Sequence, residues 1–361
     1  MKILFLHPNI SYGGASKVLV SVANFYASKG HEVTILTLLD NKIHQEISPQ
    51  IKVIYNTFSD SNIHIINRLL KVFYIRKFIK KEKYDYCIAF LAPAKSLATI
   101  ACWKTFTKTI LSERGNTLGK QTIKNKITKI IEYIFPPSIF VFQTEYAKAY
   151  YPIRKIKERS IIINNALIKH KYIGTYNYNE NKNKDIKYIL NIARLDTQCK
   201  RQEILIKAIA LLSTKYKNIR LKFIGDGPDL QKLKNISEQL GIASIVEFCG
   251  YKENVYEEIL KSYIFCLSSE MEGIPNALME AMSTGIPCIS TDCKPGGARL
   301  LINDKTGILT PINDYISLAK AIESYLTNRV YWEQTGKNGY KYIIENFNEE
   351  KINRLWEKLI Q

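Results

Sequence analysis

Short β-rich runs alternate with amphipathic helical patterns along almost the whole chain of 361 residues. Consecutive parallel strands need a crossover connection, which is usually a helix, so this alternation is typical of parallel sheets covered by helices. The pattern therefore predicts an α/β fold. The predicted strands are residues 2–7, 33–38, 51–55, 86–91, 108–112, 138–143, 187–193, 220–224, 245–249, 263–268 and 286–290.

A chain of this length, 46% of it hydrophobic, can form two α/β lobes of ordinary size. Residues 171–187 (KYIGTYNYNENKNKDIK) are polar and lack an apolar period, so we interpret them as the linker. We expect a first domain over residues 1–170 and a second over 171–344. A last helix, within 345–361, should pack back on the first domain through one apolar stripe. The stripe consists of Ile352, Leu355, Trp356, Leu359 and Ile360.

Targeting and cysteine signals are weak in this sequence. No apolar run reaches the roughly 18–20 residues that span a bilayer. The opening residues MKILFLHP are too short for a signal peptide and are interpreted as the first strand. The seven cysteines show neither CxxC nor paired His/Cys spacing, which argues against disulfides and against zinc. We expect a protein of the reducing cytosol.

The positive charge lies mainly in the first half of the chain. The net charge is +19, and residues 1–165 hold 25 Lys/Arg against 10 Asp/Glu. The remaining residues hold 27 Lys/Arg against 23 Asp/Glu. A basic lobe indicates an anionic partner, which could be lipid headgroups, nucleic acid or a phosphorylated substrate.

Two basic stretches of the first lobe, residues 68–83 and 119–135, also show apolar residues at helical spacing. Such helices can lie on an anionic membrane. Alternatively, they are ordinary sheet-covering helices with apolar faces in the core. The apolar residues are Leu69, Val72, Phe73, Ile75, Phe78, Ile79, Ile123, Ile127, Ile130 and Ile134. The cations are Arg68, Lys71, Arg76, Lys77, Lys80, Lys81, Lys83, Lys120, Lys124, Lys126 and Lys129.

Gly13 and Gly14 lie between the first predicted strand and a helical pattern that ends near Gly30. Glycines at this position let backbone N–H groups approach an anion at a helix N-terminus. The alternative is a tight strand-to-helix connection without a ligand. Gly225-Asp226-Gly227-Pro228, after a later strand, is interpreted as an ordinary turn of this kind.

Arg194, Lys200 and Arg201 follow the strand predicted at residues 187–193. Cations after a parallel strand lie where α/β folds bind ligands, and they could hold a diphosphate and stabilise its charge during transfer. A solvated basic loop is the alternative.

Two carboxylates, Glu272 and Glu280, follow the strand predicted at residues 263–268. Glu272 precedes a predicted helix and Glu280 lies about one turn inside it. One carboxylate could therefore contact a sugar and the other a ribose, with backbone N–H groups between them. Alternatively, Glu280 is a partly buried acid satisfied by a backbone donor.

Together these segments resemble family 4 of the retaining glycosyltransferases over nearly the whole chain. The resemblance implies the GT-B fold, in which two Rossmann-like lobes with parallel sheets flank an interlobe cleft. A stretch at residues 291–299 resembles enzymes of polysaccharide synthesis that handle N-acetylhexosamines or galactose. The resemblance rests on Gly13-Gly14, Arg194-Leu195 with Lys200, Gly225–Pro228, Phe248-Cys249-Gly250, and Glu272–Glu280 followed by AMSTGIP.

The resemblance also implies roles for individual residues. Arg194 and Lys200 would hold the donor diphosphate, and Glu280 would bind the ribose. The main chain near Gly250 and Tyr251 would contact the base. The donor sugar would be held by Glu272 with Gly273, Ile274, Pro275 and Asn276.

The sequence departs from the family pattern at three places. One extra residue separates Arg194 from Lys200, so Arg201 is a second candidate for the diphosphate. Many relatives have histidine where this chain has Glu113-Arg114-Gly115-Asn116, so Glu113, Arg114 and Asn116 would lie on the acceptor side. Leu300 stands where relatives often have an acid.

The resemblance implies a metal-independent hexosyltransferase that requires no cofactor. It would move a hexose or N-acetylhexosamine from a UDP-sugar to a polyprenyl-diphosphate-linked glycan, in synthesis of O-antigen or capsule. We expect a cytoplasmic enzyme, peripheral on the inner face of the cell membrane, and no nucleic-acid partner. The alternatives are a basic nucleic-acid- or anion-binding protein, or another GT-B enzyme such as a nucleotide-sugar epimerase.

Overall fold

A computed structural model describes residues 1–10, 13–38, 46–55, 64–114 and 123–361, with side chains of 64–66 and 123–125 left out. The chain divides into two compact units. The first consists of Met1–Ala166 and Glu350–Gln361, and the second of Leu167–Glu349. Each is built around its own parallel sheet, so the predicted α/β class is confirmed.

The described residues of the first unit contain a sheet in the order β3-β2-β1-β4-β5-β6-β7, with every neighbouring pair parallel. Its strands are β1 (Lys2–His7), β2 (Glu32–Thr37), β3 (Lys52–Tyr55), β4 (Tyr86–Phe90), β5 (Lys108–Ser112), β6 (Ile139–Phe142) and β7 (Ser160–Ile162). Its helices are α1 (Gly14–Ser28), α2 (His64–Glu82), α3 (Ala92–Cys102), α4 (Ile123–Ile134), α5 (Glu145–Ala149) and α6 (Arg154–Glu158).

The last helix of the chain, α15 (Glu349–Glu357), completes the core of the first unit. Ile352, Trp356 and Ile360 pack among the side chains of β1, β2 and α1. The hydroxyl of Tyr26 on α1 donates to the carbonyl of Trp356 over 2.6 Å. The apolar stripe of this helix is therefore buried.

The second unit has the sheet order β10-β9-β8-β11-β12-β13, again with parallel neighbours. Its strands are β8 (Lys187–Ile192), β9 (Ile219–Ile224), β10 (Val246–Phe248), β11 (Ile264–Leu267), β12 (Cys288–Thr291) and β13 (Ile308–Thr310). Its helices are α7 (Tyr178–Asn183), α8 (Gln202–Ser213), α9 (Leu230–Gln239), α10 (Tyr256–Lys261), α11 (Asn276–Thr284), α12 (Gly297–Leu301), α13 (Tyr315–Thr327) and α14 (Arg329–Phe347).

Two strands escape the sequence prediction. Both β7 and β13 have three residues, and each lies at an edge of its sheet. Strands this short carry little apolar signal of their own, and β10, which also has three residues, was predicted because its apolar run extends to Ile245 and Cys249. Their place depends on pairing with β6 and β12.

The linker interpretation of residues 171–187 is wrong for most of the segment. Tyr176 is buried, and its hydroxyl donates to the carbonyl of Ser262 over 2.7 Å. The hydroxyl of Tyr178, at the start of α7, donates to the carbonyl of Gly285 over 2.5 Å. The tyrosines in this polar sequence therefore anchor it to the second unit.

Candidate active site

In the sheet of the second unit the order of the strands reverses between the neighbouring parallel strands β8 and β11. From this point β9 and β10 extend to one side, and β12 and β13 to the other. The loops that leave such a switch point diverge above and below the sheet and open a crevice at the carboxyl ends of the strands. Here those loops are residues 193–201 and 268–275, which carry the predicted basic and acidic residues.

The loop after β8 presents its three cations differently. The Arg194 side chain is exposed, while its carbonyl accepts from Nε2 of Gln202 over 2.8 Å. The amide of Lys200 donates to the carbonyl of Asp196 over 2.7 Å, which closes a turn. Arg201, at φ 49°, precedes α8 in the left-handed region. The tight turn thus brings Lys200 back toward β11.

Lys200 and Arg201 each hold a different carboxylate of the loop after β11. Nζ of Lys200 pairs with Oε1 of Glu272, which also accepts from the Ser269 hydroxyl over 2.8 Å. Nε of Arg201 donates to Oε2 of Glu270 over 2.6 Å. Of the two candidates for a diphosphate contact, Lys200 is therefore the one that lies beside Glu272.

The backbone of the acidic loop is fixed by the segment that follows β12. The amide of Glu272 donates to the carbonyl of Lys294 over 2.8 Å, and the amide of Lys294 to the carbonyl of Glu270 over 3.0 Å. A Cβ atom at Gly297 would overlap the carbonyl oxygen of Gly273. Glycine at 297 is thus required for the close approach that holds this loop, a role that the sequence reasoning missed.

Helix α11 begins directly after the acidic loop. Pro275 occupies the N-cap position and Asn276 is the first helical residue. Proline has no hydrogen-bonding side chain, so the N-cap residue itself does not cap the first-turn N–H groups. Ile274 and Pro275 are buried, which fixes the start of the helix. The positive end of a helix dipole beside Glu272 favours an anionic or hydroxyl-bearing ligand.

Glu280 lies one turn into α11, half-buried and near Tyr256. Burial and the charge of Glu280 raise the pKa of the Tyr256 phenol. Tyr256 stacks on His170 and Tyr172, with ring centroids 4.0 and 5.1 Å apart. Sequence reasoning missed this aromatic stack, because Tyr256 lies more than 80 residues beyond His170 and Tyr172 and no local pattern links them.

The predicted base-contact residues lie after β10. Gly250 has φ +67° and its carbonyl accepts from the amide of Gly225 over 2.8 Å, while Tyr251 is exposed. Cβ atoms at Gly225 and Gly227 would overlap the carbonyls of Ala193 and Leu195. These two glycines therefore support the loop after β8 and need no ligand to explain them.

In the first unit, Gly13 and Gly14 follow β1. The strand order of this sheet also reverses beside β1, between β1 and β4. Gly13 is the N-cap of α1 at φ +136°, a conformation that L side chains rarely adopt, and Gly14 begins the helix. The glycines thus permit the turn. Burial lowers the pKa of nearby His7, the last residue of β1, to about 4.

The residues predicted for the acceptor side lie in three different settings. Glu113 directly follows β5, and its Oε2 accepts from the Lys95 ammonium over 2.6 Å. Asn116 lies outside the described residues. Arg114 is only 7% exposed.

The guanidinium of Arg114 packs between the rings of Phe90 and Trp356, with centroids 5.2 and 5.4 Å away. It donates to the Ser112 hydroxyl over 2.7 Å and to Oδ1 of Asn165 over 2.7 Å. Burial lowers its pKa to about 9, so it is still charged at neutral pH. The structure does not support the acceptor contact predicted for Arg114, because the side chain is buried and already bonded within the first unit.

Two family models match the chain. The model described as "Glycosyl transferases group 1" matches residues 175–342, and the model described as "Glycosyl transferase 4-like" matches residues 2–144. Together they cover most of both units.

Similar sequences include two transferases of Campylobacter jejuni subsp. jejuni. An α-1,4-N-acetyl-D-galactosaminyltransferase, named for GalNAc-α-(1→4)-GalNAc-α-(1→3)-diNAcBac-PP-undecaprenol, is 29% identical over 100% of this chain and 98% of that protein. A second, named as the 4-α-N-acetylgalactosaminyltransferase of N-acetylgalactosamine-N,N'-diacetylbacillosaminyl-diphospho-undecaprenol, is 24% identical over 96% of this chain and 95% of that protein.

Among solved structures, that of the Anabaena protein HepE in complex with UDP and glucose is similar in fold. It matches 100% of this chain and 99% of its own, with a TM-score of 0.83 and 18% sequence identity.

Proposed function

Because this chain is a glycosyltransferase of the group 1 family with the GT-B fold, we propose that it moves a hexose or N-acetylhexosamine from a UDP-sugar to a polyprenyl-diphosphate-linked glycan. The observation that carries this proposal is the Lys200–Glu272 pair at the switch point of the second sheet. It combines a cation suited to a diphosphate with a carboxylate suited to a sugar hydroxyl.

The donor diphosphate binds to Arg194 and Lys200 in this proposal. Lys200 carries three N–H donors, so it can hold Glu272 and a phosphate oxygen at once. Arg194 is exposed and can form a bidentate contact with phosphate. Both cations neutralise the charge that develops on the leaving diphosphate, which lowers the barrier to transfer.

The sugar and nucleoside bind along the acidic loop and α11. Glu272 and the backbone from Gly273 to Asn276 hold the sugar, and Glu280 accepts hydrogen bonds from the ribose. The backbone at Gly250 and Tyr251 contacts the base. Gly13 and Gly14, at the start of α1, are also proposed as donor-binding residues, because glycine lets the backbone approach an anionic group closely.

The reaction proceeds with retention of the anomeric configuration and without a metal ion. Retention is supported by the resemblance to retaining enzymes and by the α linkage in the names of the Campylobacter relatives. Metal independence is supported by the two cations at the switch point, which can take the electrostatic role of a metal ion toward the diphosphate.

The acceptor is lipid-linked and the first unit docks on the membrane that carries it. Both Campylobacter relatives are named for undecaprenyl-diphosphate-linked glycans. In the described residues no helix is long and apolar enough to cross a bilayer. The proposed mode of attachment is a surface helix.

Helix α4 supports this mode because it buries polar residues and exposes apolar ones, whereas an ordinary sheet-covering helix does the reverse. It buries polar Thr128 and Glu132 against the unit, while Ile130 and Ile134 are each 57% exposed. The core-facing alternative fails for this helix. Its exposed isoleucines are flanked by Lys126, which is also exposed.

Helix α2 divides its apolar residues between two environments. Ile75 and Ile79 lie in the core, as the sheet-covering alternative requires, whereas Leu69 and Phe73 are exposed. The helices α2, α3 and α4 follow successive crossovers in one direction along the sheet, so right-handed connections place them on the same face. This face is the proposed docking surface, defined by Leu69, Leu70, Phe73, Trp103, Phe106, Ile130 and Ile134 with the lysines around them.

The cytoplasmic leaflet is the matching membrane surface, because it is anionic and attracts basic protein segments. We therefore place the enzyme on the inner face of the cell membrane, in synthesis of O-antigen or capsule.

The donor proposal is tested by incubating the purified protein with a panel of UDP- and GDP-sugars and a polyprenyl-diphosphate-linked glycan. Nucleotide release and product are measured together. We expect UDP release that increases with acceptor, and an α-linked product by NMR. Release from GDP-sugars only, or none from any sugar nucleotide, would contradict the proposal.

A further inference from the structure

A buried lysine lies between two glutamates in the first unit. Lys95, on α3, is 2% exposed. Its Nζ lies 2.6 Å from Oε2 of Glu113 and 3.0 Å from Oε1 of Glu132. Burial disfavours the charged ammonium, but the two carboxylates outweigh that effect and raise the pKa of Lys95. Lys95 is therefore a buried cation held from two sides.

The two carboxylates differ in what they can reach. Glu132, on the inward side of α4, is fully buried and also accepts a hydrogen bond from the Tyr151 hydroxyl. Glu113 directly follows β5, at the carboxyl edge of the sheet, and its side chain is 16% exposed. Ligands of α/β sheets bind at this edge. Glu132 thus anchors Lys95, and Glu113 is the member that a ligand can contact.

Stability alone does not explain the cluster. Apolar side chains of similar volume often stabilise a core as well as a buried ion pair does, because the pair loses its hydration. What the ion pair adds is a fixed orientation of the carboxylate. Lys95 can fix the Glu113 carboxylate in one orientation, since Glu132 and the ring of Phe140, 5.1 Å from Nζ, restrict its own position.

We propose that Lys95 is a positioning residue, which holds the Glu113 carboxylate in the orientation that accepts a hydrogen bond from an acceptor hydroxyl. The inference rests on the proposed function, because it requires a glycan acceptor. Lys95 acts through Glu113 and does not itself contact the acceptor.

The test uses steady-state transfer by the full chain and its variants. Lys95→Met removes the cation, and Glu113→Gln removes the carboxylate that it orients. The double variant Lys95→Met/Glu132→Gln removes both buried charges, so it keeps the core neutral if the single variant folds poorly. Lys222→Met is the matched control, since Lys222 is a largely buried lysine held by Glu247 and Glu258 in the second unit.

We expect Lys95→Met and the charge-balanced double variant to lower kcat/KM for the acceptor by about ten- to a hundredfold, the effect of losing a charged hydrogen bond. The donor KM and the slow release of UDP to water without acceptor should not change. Lys95→Met/Glu113→Gln should lose no more than Glu113→Gln alone, because residues that act as one unit are not additive.

Three results would overturn the assignment. The first is wild-type acceptor kinetics in a folded Lys95→Met or Lys95→Met/Glu132→Gln variant. The second is a loss in Lys95→Met/Glu113→Gln that equals the sum of the two single losses. The third is a fall in UDP release without acceptor as large as the fall in transfer. A wild-type protein that turns over no sugar nucleotide would overturn the proposed function itself, and this inference with it.

Discussion

Lys200 and Glu272 form an ion pair although 72 residues separate them in the sequence. Their loops leave the adjacent parallel strands β8 and β11 at the same edge of the sheet. Next to them, Arg201 and Glu270 form a second pair between the same two loops. The second pair offers a matched control for the function of the first.

Glu272→Gln should depress kcat by about ten- to a hundredfold with a small change in donor KM. The variant keeps the volume but loses the proposed charged hydrogen bond to the reacting sugar, which is worth about 1.5–3 kcal/mol. Glu270→Gln, which disturbs only the neighbouring pair, should stay close to wild type. Steady-state kinetics with varied donor measure both. Similar losses in the two variants would show that the loop, and not the Glu272 carboxylate, is what matters.

Glu280→Ala should raise the donor KM by about tenfold or more, because the variant loses the carboxylate that is proposed to accept hydrogen bonds from the ribose. The kcat at saturating donor should change little, since the ribose is remote from the reacting carbon. Glu238→Ala, an exposed acid on α9, is the control. A Glu280→Ala enzyme with an unchanged KM for every accepted donor would remove Glu280 from the nucleotide site.

Transferase activity should survive excess EDTA. Arg194 and Lys200 are proposed to neutralise the leaving diphosphate in place of a metal ion. The measurement is UDP release before and after chelation, with and without added Mn²⁺. Complete loss of activity that Mn²⁺ restores would contradict the electrostatic role of these two cations.

Co-sedimentation with liposomes should show binding that requires anionic lipid and weakens as salt increases. Lys77, Lys80 and Lys81 are exposed on α2, and each contributes about 1 kcal/mol near an anionic surface. Changing all three to Glu should release the protein. Ile130→Ser/Ile134→Ser should weaken binding without changing its salt dependence, because it removes apolar contact only.

Charge reversal of Lys217, Lys234 and Lys261 is the control for docking, since these three lysines are exposed on the second unit. That variant should bind as wild type does. Equal binding to neutral and anionic liposomes, or equal loss in both triple variants, would exclude the docking surface.

Acidification should destabilise the protein through His7. Its folded pKa of about 4 lies below the value of about 6.5 expected in the unfolded chain, so the unfolded chain takes up the proton first. The stability contribution is therefore complete above pH 6.5 and is lost as the pH falls from 6.5 to 4. Over this window wild type should lose up to about 3 kcal/mol more than His7→Gln.

Urea unfolding at a series of pH values measures this difference. Between pH 7 and 8 the two proteins should respond alike to pH, because His7 is neutral in both states there. Parallel stability curves from pH 7 down to 4 would show that His7 does not titrate as its burial implies.

The sequence predicted the sheets and the loops of the candidate site because both follow local rules. Apolar runs mark buried parallel strands, and the loops that carry Arg194 and Glu272 follow such runs. The pairing itself was not predictable from local pattern. That Lys200 meets Glu272 and Arg201 meets Glu270 depends on the register of β8 beside β11 and on the left-handed turn at Arg201.

Side-chain direction explains why the acceptor contact predicted for Arg114 is not supported, and it was left open for α4. Arg114 follows a strand as Glu113 does, but alternation turns it into the core between Phe90 and Trp356. The apolar spacing of α4 could have meant a buried or an exposed face. The buried pair of Lys95 and Glu132 turns the polar side of α4 inward, and the local sequence around either residue does not predict that pair.

The return of α15 to the first unit has a consequence for biosynthesis. The core of this unit lacks Ile352, Trp356 and Ile360 until the residues of the second unit have been translated. The Trp356 ring packs on Arg114 and its carbonyl accepts a hydrogen bond from the Tyr26 hydroxyl, so the nascent first unit lacks both of these native contacts. We therefore expect the second unit to mature first during synthesis, and the first unit to close only when the last helix leaves the ribosome.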